Sequence, residues 1–145
     1  MDHPLIQVET IIAAPPQAVW DTIIRKSSTL FMGAKVETDW KVGHPISMSG
    51  NFKGHQYKDS GEICSFDKER ELSFTHFSSA SGKPRTPDNT NLVKVTLTPD
   101  EAGTKVSLSQ TPLGEPRISD QQKAEFTKNW SKMLDDLKAE AEASS

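Results

Sequence analysis

Thiol chemistry is nearly missing from the sequence: it holds one cysteine, Cys64. No intrachain disulfide can form, and no thiolate cluster can hold zinc. That pattern suits a reducing compartment, and a cytoplasmic location is expected. No apolar run approaches the roughly 18 residues that cross a bilayer. Met1-Asp2-His3-Pro4 opens without a basic stretch followed by an apolar one, so no secretory signal is expected. Positive charge is also short, with 17 Lys and Arg against 20 Asp and Glu and a net charge of −3. The basic residues are scattered. Neither the basic stripe of a nucleic-acid binder nor a polybasic membrane patch is formed, so nucleic acid and membrane insertion are excluded as partners. Apolar residues make up only 34% of the chain and aromatics 7%. Even with the 8 Gly added, this falls below the roughly 45–50% of an ordinary globular chain. The core must therefore be economical, or one side of it must enclose a space. The sequence lacks a Gly-x-Ser-x-Gly elbow, a phosphate loop and a His-Glu-x-x-His pair. No catalytic residue, metal or cofactor is assigned.

What is present is 145 residues with clear periodicity. That length supports one domain over residues 1–145, with no second core. Ile6, Val8, Thr10 and Ile12 fall on one face of an opening strand. Pro15-Pro16 then stops the strand and suits a helix start. Val19, Trp20, Ile23 and Ile24 mark a short amphipathic helix over 17–25, continued brokenly to Met32 as a second short helix before Gly33. The middle reads as strands. Val36, Thr38 and Trp40 alternate, then Ile46 and Met48 after the Val42–Pro45 turn. A run follows over Tyr57–Phe66, and then Leu72, Phe74 and His76. Ser78 to Asn89 is a loop. Val93, Val95 and Leu97 lie on one face of the next strand. The Pro99–Gly103 turn leads to Val106 and Leu108. Ser119 or Asp120 can cap a final helix. Along it Phe126, Trp130, Met133, Leu134, Leu137 and Ala141 recur at i, i+4, i+7, i+8, i+11 and i+15, which is one face.

This order predicts an α+β fold: a curved antiparallel sheet of six or seven strands wrapped around a long C-terminal helix, with two short helices after the first strand. Uninterrupted over 120–143, that helix is about 35 Å long against roughly 24 Å for a seven-residue strand. It must cross the sheet diagonally. A twisted sheet curled round one helix fills poorly at its open end, so a cavity is expected there.

The residues also carry a resemblance. Ala14-Pro15-Pro16-Gln17-Ala18-Val19-Trp20-Asp21 resembles the opening of the helix-grip superfamily, which holds the START lipid-transfer, Bet v 1 and polyketide cyclase groups. Asp39-Trp40-Lys41-Val42-Gly43-His44-Pro45-Ile46 is similar to a strand and turn of its activator-of-Hsp90-ATPase-like branch. Gly61-Glu62-Ile63, Asp67 and Leu72-Ser73-Phe74-Thr75-His76 resemble a second run of that branch, and Trp130 and Leu134 match its last helix. His76 stands where the branch carries Trp. The resemblance implies the helix-grip fold, and it adds an Hsp90-type chaperone to a small apolar ligand as a partner class. A fold of this kind hosts many activities.

The candidate lining of the cavity is Trp40, Met48, Phe74, His76, Val95, Gln110, Phe126, Trp130 and Met133. Each apolar member serves equally as core. His76 shares parity with Leu72 and Phe74 and is expected to face inward. There it can orient a carbonyl or hydroxyl, act as a base, or simply be hydrogen-bonded at a strand end. Gln110 shares parity with Val106 and Leu108, and it either lines the cavity or caps its strand. Glu62 is expected in solvent, since an inward carboxylate needs a partner. Cys64 is expected to be a small buried residue, because nothing near it in sequence lowers its pKa. His44 and His55 fall in turns. Lys83-Pro84-Arg85 is a solvated loop tip, or closes over a cavity mouth.

Three functions follow in order. The first is binding of a small apolar or amphipathic ligand between sheet and helix, by a monomer or homodimer. The second is an Hsp90 co-chaperone-like interaction module. The third is an enzyme of the cyclase or dehydratase type, in which His76 works with Glu62 or Gln110.

Overall fold

Strand β1 (Ile6–Ile12) buries both of its ends, and Pro15 and Pro16 then turn the chain into helix α1 (Pro16–Arg25). Proline suits that first turn because its missing N–H would have no helical partner there. The structure, a computed structural model, describes residues 6–26, 35–52, 54–77, 90–113 and 119–144. The second short helix expected before Gly33 and the Lys83-Pro84-Arg85 loop both lie outside the described residues.

Six further strands follow: β2 (Lys35–Glu37), β3 (Pro45–Phe52), β4 (His55–Asp67), β5 (Glu71–Phe77), β6 (Thr90–Asp100) and β7 (Gly103–Pro112). The last element is helix α2 (Asp120–Ser144). The seven strands form one sheet in the order β1-β7-β6-β5-β4-β3-β2, and every pairing is antiparallel. This is the α+β helix-grip architecture, with a curved sheet holding the C-terminal helix.

Register places the inward residues in rows across the sheet. Val8, Leu108, Val95 and Leu72 make one row, and Ile6, Gln110, Val93 and Phe74 the next. Met133, Leu134, Leu137 and Ala141 of α2 are buried with these strands in one core. Each such aliphatic side chain contributes roughly 1.5–3 kcal/mol when taken fully out of water.

Helix α2 starts on a reciprocal cap. The Gln122 N–H donates to Ser119 Oγ at 3.1 Å, and the Ser119 N–H donates to Gln122 Oε1 at 2.9 Å. This is a capping box, and it selects Ser119 over Asp120. The other end is bolted to the start of the chain. Lys138 Nζ donates to the Ile11 carbonyl at 3.0 Å, and the Ala13 N–H donates to Glu142 Oε2 at 2.9 Å. Lys138 also pairs with Glu142, and Lys26 of the α1 terminus with Glu140.

Two expectations are corrected here. The alternation of Val36, Thr38 and Trp40 does not extend β2, which stops at Glu37. Thr38 Oγ1 accepts the Trp40 N–H at 3.2 Å, and Asp39 Oδ1 accepts the Lys41 N–H at 3.1 Å. These side chains turn the backbone, leaving Trp40 at a left-handed φ of 60°. Cys64 is exposed rather than buried. The pairing of β4 with β5 shifts register between Ile63 and Ser65. Cys64 is the extra residue of that bulge, and a bulge releases its residue from strict alternation.

Candidate functional site

The inward face of the sheet is apolar in its middle rows and turns polar toward one end. Gln110 lies there on β7, with Asn91 and His76 paired across β6 and β5. Asp59 lies on β4, paired with Met48 of β3. Helix α2 runs so that Trp130 sits over this end, while Leu137 and Ala141 lie toward β1 and α1.

Two polar contacts organise the site. Trp130 Nε1–H donates to Gln110 Oε1 at 2.7 Å, tying helix to sheet through a glutamine that is 5% exposed. His76 Nε2 lies 2.9 Å from Asp59 Oδ2, with side chains 25% and 14% exposed. A carboxylate oxygen only accepts, so Nε2 carries the hydrogen of this bond. The second carboxylate oxygen, Asp59 Oδ1, is buried and has no hydrogen-bond partner among the described residues.

The nine lining candidates divide. Met48, Phe74, Val95 and Met133 are buried core. Gln110, His76, Phe126 and Trp130 belong to the polar end, with Phe126 and Trp130 half-buried. Trp40 lies elsewhere, its ring 6.0 Å from that of Phe66, which in turn meets Trp20 edge-on at 5.2 Å. Phe66 pairs with Leu72, four residues before His76, or about 13 Å along β5.

The remaining chemical candidates sit apart from this end. Glu62 is exposed; its backbone N–H donates to Thr75 Oγ1 at 2.9 Å, and its carbonyl accepts from the Cys64 thiol at 3.6 Å. The carboxylate that meets His76 is Asp59, which the sequence reading did not single out. Period two counted back from Ile63 puts Gly61 and Asp59 on the inward side and is the signal that points to it. The Cys64 thiol is pushed up by partial desolvation and by the nearby Glu62 charge, the opposite of an activated nucleophile. His44 is exposed in its turn, with Nδ1 2.6 Å from Asp39 Oδ2. Desolvation raises the Asp39 pKa, but hydrogen bonds from His44 and the Lys41 N–H outweigh it and hold the carboxyl below its ordinary value. The backbone of His55 opens β4. Among the described residues no group of three or more His, Cys, Asp or Glu side chains could hold a metal ion. No helix among them is long and apolar enough to cross a membrane.

Chemically, the polar end offers a hydrogen-bonded imidazole, a buried amide and two half-buried aromatic rings beside an apolar floor. This combination can bind and orient an amphipathic molecule.

Comparison with known proteins agrees with the architecture. The family model described as "Activator of Hsp90 ATPase homolog 1-like protein" matches residues 13–142. No curated protein matches the sequence. The solution structure of ChR145 from Cytophaga hutchinsonii is 34% identical, with a TM-score of 0.77 over 96% of this chain and 95% of that one. The crystal structure of MLL2253 from Mesorhizobium loti is 20% identical, with a TM-score of 0.75 over 97% and 98% of the two chains. Ara h 8.0201 is 13% identical, with a TM-score of 0.75 over 97% and 98%. At such low identity the last two show the shared fold alone.

Proposed function

The chain belongs to the Activator of Hsp90 ATPase homolog 1-like family, and from that premise we propose that it binds a small apolar or amphipathic molecule between the sheet and the first half of α2. One observation carries this function. The helical ridge is fully buried at Met133, Leu134, Leu137 and Ala141, yet only half-buried at Phe126 and Trp130, beside the inward end where Gln110 and His76 lie. Aromatic surface left partly open next to a few fixed polar groups is the usual composition of a small-molecule site. Phe126 and Trp130 supply the apolar contact, and Gln110 and His76 the orienting groups. Native mass spectrometry of freshly purified protein tests it, with a co-purified mass of small-molecule size as the expected result. Titration with apolar probes, followed by Trp fluorescence, is the complement. No retained ligand together with no saturable change would refute the function.

The family match also supports a second function, a co-chaperone-like interaction with an Hsp90-type partner. Association with the cognate Hsp90 and a change in its ATPase rate are expected if that function holds. Absence of both would remove it.

A further inference from the structure

We propose that His76, held by Asp59, is the acceptor for a neutral hydroxyl group on the ligand, so that the molecule bound is an apolar alcohol or phenol. This rests on the ligand-binding function above and specifies its chemistry.

The argument starts from the hydrogen on the imidazole. Nε2 faces Asp59 Oδ2 at 2.9 Å and must donate to it. A neutral imidazole has one ring hydrogen, so Nδ1 is left with a bare lone pair. Among the described residues Nδ1 has no hydrogen-bond partner. His76 is three-quarters buried, with a side-chain exposure of 25%, yet Nδ1 is not one of the sealed polar atoms among the described residues, so an incoming group can reach that lone pair. A ligand O–H completes the bond.

The charge nearby narrows the class further. Asp59 lies against the ring, and its negative charge disfavours an anionic headgroup such as a carboxylate or phosphate at this point. Its free oxygen, Oδ1, is buried out of reach, so the carboxylate is not itself the contact for a cationic amine. A neutral O–H donor on an apolar body remains. The body has partly open aromatic surface at hand in Phe126 and Trp130 of α2. Asp59 is a positioning residue, because it acts through the tautomer of His76.

The test uses the full chain with naphthol and its methyl ether, which share the apolar body and differ in one methyl group and in whether the oxygen can donate. Binding is followed by fluorescence. Naphthol is expected to bind about tenfold more tightly than the ether, the worth of one hydrogen bond. H76F removes the acceptor and should bring the ratio to about one. D59L removes the acceptor that holds the ring hydrogen on Nε2, so Nδ1 is no longer kept as the bare nitrogen and the preference for naphthol should shrink. Nitrogen-15 NMR of unaltered protein keeps the test independent of how the variants fold: the tautomer with its hydrogen on Nε2 and Nδ1 bare is expected. A proton on Nδ1 would overturn the proposal. Equal binding of the two probes would also overturn it while leaving the apolar site standing. Failure of both probes to bind would remove the site and the proposal together.

Discussion

Trp130 donates its indole N–H to the side-chain oxygen of Gln110 at 2.7 Å, so the oxygen of a buried β7 glutamine is satisfied by the helix itself. The bond fixes the rotation of α2 above the sheet. Replacing Trp130 by Phe retains an aromatic ring but strands the Gln110 oxygen. The expected loss is about 1–3 kcal/mol in urea unfolding. Adding Gln110→Leu to that variant should recover part of it, because both polar partners are then gone.

The two halves of α2 should respond differently to truncation. Leu137 is 0% exposed, and Leu137→Ala should cost about 2–5 kcal/mol. Phe126 is half-buried, and Phe126→Ala should cost only about 1 kcal/mol. Chemical denaturation reads both. If Phe126→Ala proved as costly as Leu137→Ala, the open end would be core.

Acid should loosen the end of α2 that meets β1. The hydrogen bond from Lys138, and after it the Ala13 N–H, hold the Glu142 carboxyl below its ordinary value. A depressed carboxylate adds stability at pH above its unfolded-state pKa, and loses it as pH falls through the folded one. Melting temperature should therefore fall between neutral pH and about pH 3 less steeply in Glu142→Gln than in the unaltered chain. The difference should be small, since the pair is open to solvent and salt.

Cys64 should be sluggish toward a disulfide reagent despite its exposure. Its thiol is pushed up by desolvation and by Glu62, which lowers the thiolate fraction at neutral pH. Glu62→Gln should speed the reaction, and free cysteine should outpace the unaltered protein.

Much of the architecture was legible because its apolar periods are unbroken. The ridge from Trp130 to Ala141 and the alternation of Val93, Val95 and Leu97 each survive in the fold. Asp59 was hidden by the bulge at Cys64. Counting by twos from Phe66 sends Asp59 outward, and counting from Ile63 sends it inward. Only the extra residue between them decides which applies. Trp40 misled for the opposite reason, because Thr38 and Asp39 imitate a strand's alternation while their side chains cap a turn. Gly61 likewise has its reason in the tertiary structure: a Cβ there would stand 1.6 Å from the Thr75 carbonyl oxygen. Gly61 therefore lets β4 press against β5 one residue from His76.

The anchoring of α2 at Lys138 and Glu142 makes the helix a cantilever. From Leu137 to Phe126 the arm is about 16 Å. A tilt of roughly 10° about the anchored end carries Phe126 through about 3 Å, the thickness of one flat ring. Under the proposed function, a tilt of this size would admit a guest at the Phe126 end with the Lys138 and Glu142 joint intact and the Trp130–Gln110 bond stretched.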